Sequence, residues 1–141
     1  MLDRLLPRPA QDALLRIIGN ASAGGVLAPL RGSSASLVTA LSFQSRPRPM
    51  LVITPKLEDA EAFAADLTTL LPHHSVLHFP EYEILPYDTR SPYKGITGQQ
   101  VEVLHRILQG EPCVLVTSAK GFKWKVQPAE EILDYTLSFQ K

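Results

Sequence analysis

Residues 50–71, MLVITPKLEDAEAFAADLTTLL, decide the fold class of this chain. The first five residues form a short, continuous apolar run, which is typical of a strand buried on both faces of a parallel sheet. Pro55 ends that run. The residues after it place apolar side chains at steps of three and four, which predicts an amphipathic helix. A buried strand followed directly by such a helix is the repeating unit of α/β proteins.

The same alternation of strand and helix extends in both directions along the chain. The predicted strands cover 26–30, 50–54, 75–79 and 113–118, and the predicted helices cover 9–18, about 34–44, 56–71, 96–110 and a short stretch from Pro128. We therefore expect an α/β domain with a parallel sheet of about four strands and helices on both faces, joined by right-handed crossovers. Ligand sites in such folds lie at the carboxyl ends of the strands.

Composition limits the classes of protein that this chain can belong to. Its 141 residues are 45% apolar and 20% charged, which indicates about one globular domain, and its formal net charge of zero argues against a strongly basic nucleic-acid module. The single Cys113 lies in an apolar run and is predicted to be a small buried side chain. No histidine has a cysteine or carboxylate at metal-ligand spacing, so no metal site is expected. With no signal peptide and no long apolar run, we expect a cytoplasmic protein without a membrane partner.

Residues 29–36, PLRGSSAS, have the layout of a phosphate-binding loop, because they lie between a predicted strand and a predicted helix. A working loop reads G-x-x-x-x-G-K-[ST]. Here Pro29 and Ser34 stand at the two required glycines, Ala35 stands at the lysine, and only the hydroxyl of Ser36 is retained. Losing the cation and the flexible glycines weakens phosphate contacts. We predict a degenerate loop that binds no nucleotide or other cofactor, formed by Pro29, Gly32, Ser33, Ser34, Ala35 and Ser36.

Residues 79–92, FPEYEILPYDTRSP, form the most distinctive segment. This segment resembles the FP-x-[WY]-E-x-LPYD-x-x-SP signature near the N-terminus of bacterial transcription-repair coupling factors, the Mfd family. The stretches LVITP and DAEAFAADL upstream, and VLHRIL and VLVTSAK downstream, are similar to the same family in order and spacing. The resemblance covers about residues 24 to 126.

This resemblance implies both a fold and a function. The family dislodges stalled RNA polymerase with an ATP-driven translocase and recruits UvrA for nucleotide excision repair. Its N-terminal region is similar to the first domain of UvrB, a P-loop NTPase-like fold, but has a degenerate nucleotide site and hydrolyses no ATP. The resemblance thus implies a non-catalytic, UvrB-like module of a bacterial cytoplasmic DNA-repair protein. Its partners are other domains of the same protein, UvrA through the adjoining module, and RNA polymerase and DNA only through the full-length protein.

The resemblance also divides the chain into three parts. Residues 1–23 form a helical lead-in, residues 24–127 form the UvrB-like α/β domain, and residues 128–141 form a C-terminal helix or the start of the next segment. The chain then represents the first half of the UvrB-like module. The motor motifs and the polymerase-interacting domain of the family have no counterpart in it.

Two segments are candidate contact sites, and each has an alternative interpretation. UvrB carries a DNA-holding aromatic hairpin where this chain has residues 80–95, the Pro/Tyr loop, so we expect no lesion clamping. We favour a rigid structural loop over direct partner contact by its residues Tyr82, Glu83, Pro86, Tyr87, Asp88, Arg90 and Tyr93. Lys123, Trp124 and Lys125 place an aromatic ring between two cations, a pattern that can bind nucleic acid. We favour packing of Trp124 on a neighbouring element. No nucleophile or metal ligand accompanies Glu81, Glu83 or Asp88, so no catalytic residue is predicted.

Two other functions remain open from the sequence. One is an atypical nucleotide-binding ATPase domain. The other is a stand-alone DNA- or protein-interaction module that uses the Arg-rich N-terminal part. ATP titration distinguishes the ATPase domain from the non-catalytic module. Salt-dependent retention on duplex DNA identifies a DNA-interaction module, because contacts to phosphates release counterions.

Overall fold

The computed structural model describes residues 6–19, 24–71, 75–81 and 94–134. The helices are α1 (Arg8–Gly19), α2 (Ser34–Ser45), α3 (Leu57–Leu70), α4 (Lys94–Leu108), α5 (Ala119–Phe122) and α6 (Ala129–Asp134). The strands are β1 (Met50–Thr54), β2 (Ser75–His78) and β3 (Cys113–Ser118). They form a parallel sheet in the order β1-β3-β2. The predicted α/β class and the parallel sheet are confirmed.

Strand β3 is the centre of the sheet and pairs on both sides. Its register places Met50 of β1 opposite Val114 and Ser75 of β2 opposite Cys113, so the strands end at nearly the same level. Side chains alternate between the two faces of a strand. Val114 and Val116 therefore enter one core, and Cys113 enters the other. This explains why the segment CVLVTS is apolar without alternation.

The larger core lies between the sheet and helices α2 and α3. Its buried residues are Ala40, Leu41, Phe43, Ala60, Leu67, Leu71, Val114 and Val116. The apolar stripe predicted for residues 56–71 supplies three of them, because residues at steps of three and four lie on one face of α3. Leu14 of α1 packs at the margin of this core.

The smaller core lies on the opposite face of the sheet, beneath α4. It contains Leu77, Phe79, Val103 and Cys113, with Leu104, Ile107 and Leu115 packed against it. Helices therefore cover both faces, as predicted. Cys113 is 4% exposed and has no disulfide partner, which confirms its assignment as a small buried side chain.

Two sequence-based expectations differ from the structure at the edge of the sheet. Residues 26–30, predicted as a strand, adopt no regular structure, so the described sheet has three strands instead of about four. Pro29 has no N–H to give to a ladder, and Val26 is 91% exposed. Strand β1 is consequently an edge strand. It was predicted to be buried on both faces, but Leu51 and Ile53 are 48% and 46% exposed.

The division of the chain into residues 1–23, 24–127 and 128–141 stays a prediction.

None of the described helices combines the length and the apolar character that crossing a membrane requires.

Candidate functional site

The loop of residues 29–36 leads into α2 beside the carboxyl end of β1. The Ala28–Pro29 peptide bond is cis, and Gly32 has a φ of +55°, in the left-handed region that glycine adopts without strain. Ser34 closes the loop on itself. Its Oγ accepts a hydrogen bond from the backbone N–H of Arg31 at 2.8 Å and donates to the carbonyl oxygen of Arg31 at 2.7 Å. The Ser34 hydroxyl is thus engaged both as a donor and as an acceptor within the loop.

Ser36, the one residue that retains the phosphate-loop pattern, faces a carboxylate. Its side chain is 2% exposed, and its Oγ donates to Oδ2 of Asp66 on α3 at 3.1 Å. A phosphate loop presents the equivalent hydroxyl to a magnesium ion. Here the hydroxyl joins α2 to α3 beside an acidic cleft.

An acidic cleft of about 370 Å³ opens beside the start of α2. Its lining residues are Gly32, Ser33, Ser36, Thr54, Asp59, Ala62, Phe63 and Asp66. Two carboxylates face this space, and no lysine or arginine lines it among the residues that the structure describes. Nearby charges of like sign repel, so the cleft disfavours a triphosphate and is better suited to a neutral or cationic group. Ala35 stands where a phosphate loop has its lysine, consistent with this charge pattern.

A second polar cluster, the Glu81 network, lies at the carboxyl ends of β2 and β3. The carboxylate of Glu81 accepts a short hydrogen bond from Ser118 Oγ through Oε2, and Lys120 Nζ lies 3.3 Å from Oε1. Ser118 is also the N-cap of α5, because its Oγ accepts from the backbone N–H of Gly121 at 2.9 Å. Ser118 is only 1% exposed, so a substrate has no access to its hydroxyl.

Hydrogen bonds to Phe79 and Pro80, beside the Glu81 network, fix the beginning of the Pro/Tyr loop. The backbone N–H of Phe79 donates to the carbonyl oxygen of Val116 at 2.9 Å, and Thr117 Oγ1 donates to the carbonyl oxygen of Phe79 at 3.1 Å. From α4, Gln100 Nε2 donates to the carbonyl oxygen of Pro80 at 2.8 Å. Residues 79–81 are thus bonded to both β3 and α4, which gives this segment a defined exit direction.

Most of the Pro/Tyr loop lies outside the described residues. This applies to Tyr82, Glu83, Pro86, Tyr87, Asp88, Arg90 and Tyr93, and to the hairpin comparison. Their assignment as structural or partner-facing residues stays a prediction.

Sequence reasoning missed the partners of Glu81 and of Ser36. Glu81 lies three residues after the end of β2, and Ser118 ends β3. Because neighbouring parallel strands bring their carboxyl ends together, the sequence could have predicted that these two residues are close. The sequence gives no comparable signal for Asp66, because a polar residue in the second half of a helix does not reveal which neighbouring helix it faces.

Trp124 lies over an apolar groove of about 190 Å³ on the α4 side of the sheet. The groove is lined by Leu51, Phe79, Leu104, Leu115, Thr117, Gly121, Phe122, Trp124 and Val126. Trp124 is 41% exposed, and Lys123 and Lys125 are exposed on either side of it. The loop of residues 29–36 leads into α2, whose buried side chains belong to the core on the opposite face of the sheet, so the structure does not bring the two predicted segments into one site.

The remaining titratable groups of the described residues are dispersed. Within the described ranges, no three histidine, cysteine or acidic side chains are grouped so as to hold a metal ion. Burial lowers the pKa of His78 on β2, opposed by the nearby carboxylate of Glu61. The Nε2 atom of His78 is buried and has no hydrogen-bond partner among the described residues. Burial also raises the pKa of the Cys113 thiol, so the thiol stays protonated.

These features define an α/β protein built on a small parallel sheet, with an acidic cleft beside its loop of residues 29–36. Over 105 residues, the chain is 29% identical to the transcription-repair-coupling factor of Bacillus subtilis (strain 168). The similarity covers 74% of this chain and 9% of that protein. No protein-family model matches the chain.

Proposed function

We propose that this chain is a non-catalytic, UvrB-like module of a bacterial transcription-repair coupling factor. The observation that carries the proposal is the similarity to the Bacillus subtilis factor, which covers 74% of the chain. Because the chain spans only 9% of that factor, displacement of stalled RNA polymerase and recruitment of UvrA belong in this proposal to the whole protein. The module contributes a folded surface that packs on neighbouring domains.

The charge of the acidic cleft supports the non-catalytic part of the proposal. Asp59 and Asp66 line the space beside the loop, and the hydroxyl of Ser36 donates to Asp66 at 3.1 Å. A bound Mg·ATP would need this hydroxyl for the metal and a cation for the phosphates. Neither requirement is met by the residues that line the cleft.

Calorimetric titration with Mg·ATP tests the non-catalytic role. We expect no binding heat at micromolar ATP for the wild-type chain. The matched variant Asp66→Ala removes one carboxylate and the acceptor of the Ser36 hydroxyl, and we expect it to remain without ATP binding because Ala35 still supplies no cation. Micromolar binding by the wild-type chain would identify an atypical nucleotide-binding domain instead.

A segment exchange tests the role in repair. The 105 matched residues of the Bacillus subtilis factor are replaced by those of this chain. After ultraviolet damage, the repair rate of the transcribed strand is compared with that of the non-transcribed strand. We expect the exchange to preserve strand-specific repair, and the same exchange carrying Leu67→Asp to abolish it, because a charge at the buried Leu67 disrupts the larger core. A stably expressed exchange protein that shows no strand preference contradicts the proposal.

A further inference from the structure

A pocket with two arginines, the arginine pocket, lies between the C-terminal ends of α1 and α2. It has a volume of about 300 Å³, and its walls include Leu15 and Ile18 of α1 together with Ser42, Ser45, Arg46 and Arg48. The acidic cleft adjoins the start of α2 instead. Because α2 has 12 residues and a helix rises about 1.5 Å per residue, the two spaces lie at opposite ends of a helix roughly 18 Å long.

The segment RPRP, residues 46–49, places the two arginines side by side. Pro47 and Pro49 each hold their own φ near about −65° and restrict the residue before them to extended conformations. Arg46 has the expected extended backbone, with a φ of −149°. Side chains two positions apart in an extended segment project to the same side, and both arginines line the pocket. The prolines thus reduce the conformational entropy that is lost when both guanidinium groups hold one ligand.

The charge around this pocket is positive. Among the described residues, no aspartate or glutamate lines it, and no carboxylate pairs with Arg46 or Arg48. Residues 13–57 contain four arginines and Lys56 but no acidic residue. The C-terminal ends of α1 and α2 each contribute about half a negative charge, which the two full guanidinium charges exceed. The pocket therefore attracts an anion.

Two features indicate the kind of anion. Arginine holds phosphate and carboxylate groups through pairs of N–H donors. A phosphomonoester carries about 1.5 to 2 negative charges at neutral pH, so it matches two guanidinium groups better than a singly charged carboxylate or phosphodiester does. The volume is also at the lower end of the range of small-molecule sites, about 300 to 1,000 Å³, and Leu15 and Ile18 supply an apolar wall.

We propose that the arginine pocket binds a phosphomonoester. Arg46 and Arg48 hold the phosphate, and the organic part of the ligand lies against Leu15 and Ile18. Ser45 contributes shape and no donor, because its Oγ already donates to the carbonyl oxygen of Ser42 at 2.8 Å. Binding at this pocket does not depend on the proposed role in repair.

Titration of the isotope-labelled chain with phenyl phosphate, followed by amide chemical shifts, tests the site. We expect saturable binding with a Kd of about 0.1 to 1 mM, with the largest shifts at Ile18 and Ser45. Phenyl sulfate is the matched ligand, because it has the same ring and a single negative charge. We expect it to bind at least about tenfold more weakly.

The phosphate can belong to a free small molecule or to the end of a nucleic-acid strand. A short single strand with a terminal phosphate is therefore compared with the same strand ending in a hydroxyl. Tighter binding of the phosphorylated strand than of phenyl phosphate assigns the pocket to a strand end. Equal or weaker binding assigns it to a small molecule.

Substitution of each arginine tests its contribution. We expect Arg46→Gln and Arg48→Gln each to weaken phenyl phosphate binding at least about tenfold, because each removes a charged pair of donors. The matched control is Arg31→Gln, at an exposed arginine beside the other end of α2, and it is expected to bind like the wild type. All three side chains are exposed, so the variants should fold, and their amide spectra check this.

Three results would overturn the proposal. The first is a wild-type chain that shows no saturable binding up to about 10 mM phenyl phosphate. The second is equal affinity for phenyl phosphate and phenyl sulfate. The third is binding by Arg46→Gln and Arg48→Gln that is as strong as binding by Arg31→Gln.

Discussion

At the scale of single residues, Ser36 keeps the hydroxyl of a phosphate loop but donates it to Asp66. The bond spans 3.1 Å and connects α2 to α3. Gly32 has a φ of +55°, a left-handed conformation that favours glycine. No described lysine or arginine lines the adjoining cleft. The loop therefore combines a left-handed glycine with an adjoining cleft whose described charged residues are both acidic.

Gly121 is the described glycine at which an added methyl group should destabilise the fold most. A Cβ built there lies 2.6 Å from Thr117 Oγ1 and 3.3 Å from Ser118 Oγ, and both hydroxyls are committed to hydrogen bonds. We expect Gly121→Ala to lower the free energy of unfolding by about 1–3 kcal/mol, the usual cost of overpacking. Urea denaturation followed by circular dichroism measures this change.

The control for this prediction is Gly98→Ala in α4. No atom lies within 4 Å of a Cβ at Gly98, and alanine favours a helix over glycine by about 1 kcal/mol. We expect Gly98→Ala to be neutral or stabilising. Equal stability of the two variants would show that the space around Gly121 opens without cost.

His78 should make stability depend on pH. Burial lowers its pKa in the folded protein, so below the unfolded pKa of about 6.5 the unfolded chain takes up a proton first. The free energy of unfolding should therefore fall as the pH drops below this value and level off below the folded pKa. Glu61 opposes the effect without reversing it.

The matched comparison is His78→Leu, measured by urea denaturation between pH 7.5 and 5.5. The variant removes a buried Nε2 that has no described partner, so it should fold at pH 7.5. The difference in stability between wild type and variant isolates this one histidine from the others. A difference that does not change with pH contradicts the prediction.

At the scale of elements, the Glu81 network joins the end of β2 to the start of α5. Ser118 contributes twice, as a donor to Glu81 and as the N-cap acceptor for Gly121. Lys120 contributes less, because its side chain is 57% exposed and water screens its charge. The short helix α5 thus depends on the serine more than on the ion pair.

This difference predicts the relative stability of two variants. We expect Ser118→Ala to lower the free energy of unfolding by about 1–3 kcal/mol, since it removes a cap and a hydrogen bond to a charged group. Lys120→Met, which keeps an unbranched side chain of comparable length, should cost less than about 1 kcal/mol. Thermal unfolding of the two variants checks the order, and a larger loss for Lys120→Met would make the ion pair dominant.

The elements also show where sequence reasoning succeeds. Strands 50–54 and 113–118 and the helix of α3 were predicted almost to the residue, because continuous apolar runs and a clear helical stripe depend only on local sequence. Residues 26–30 have a similar apolar composition yet form no strand. A strand needs a neighbour to accept its hydrogen bonds, and the presence of that neighbour cannot be read from five residues.

At the scale of the whole molecule, β3 links the two cores. Val114 lies in the larger core and Cys113 in the smaller one, so unfolding of either core disturbs the strand that the other core also needs. We therefore expect one cooperative unfolding transition.

Leu67→Ala tests this cooperativity from a distance. Leu67 is 0% exposed in α3, and removal of a buried leucine side chain costs about 2–5 kcal/mol. The single tryptophan, Trp124, lies on the opposite face of the sheet. We expect Leu67→Ala to shift the transition of Trp124 fluorescence and that of far-ultraviolet circular dichroism by the same amount.

The control is Leu133→Ala, at a leucine that is 53% exposed, which should change the free energy of unfolding by no more than about 0.5 kcal/mol. A fluorescence transition that does not move in Leu67→Ala would mean that the two faces unfold independently.

The sequence by itself determined the α/β class, the parallel sheet, the helices and the buried Cys113, because these follow from local apolar periodicity and from the need to bury it. Only the tertiary structure decided that β1 is an edge strand, that Ser36 faces Asp66 and that Glu81 accepts from Ser118. The physical reason is distance along the chain. The two hydrogen bonds join residues that are at least 30 positions apart, and the edge position of β1 depends on residues 26–30 not forming a strand. A local sequence pattern encodes neither.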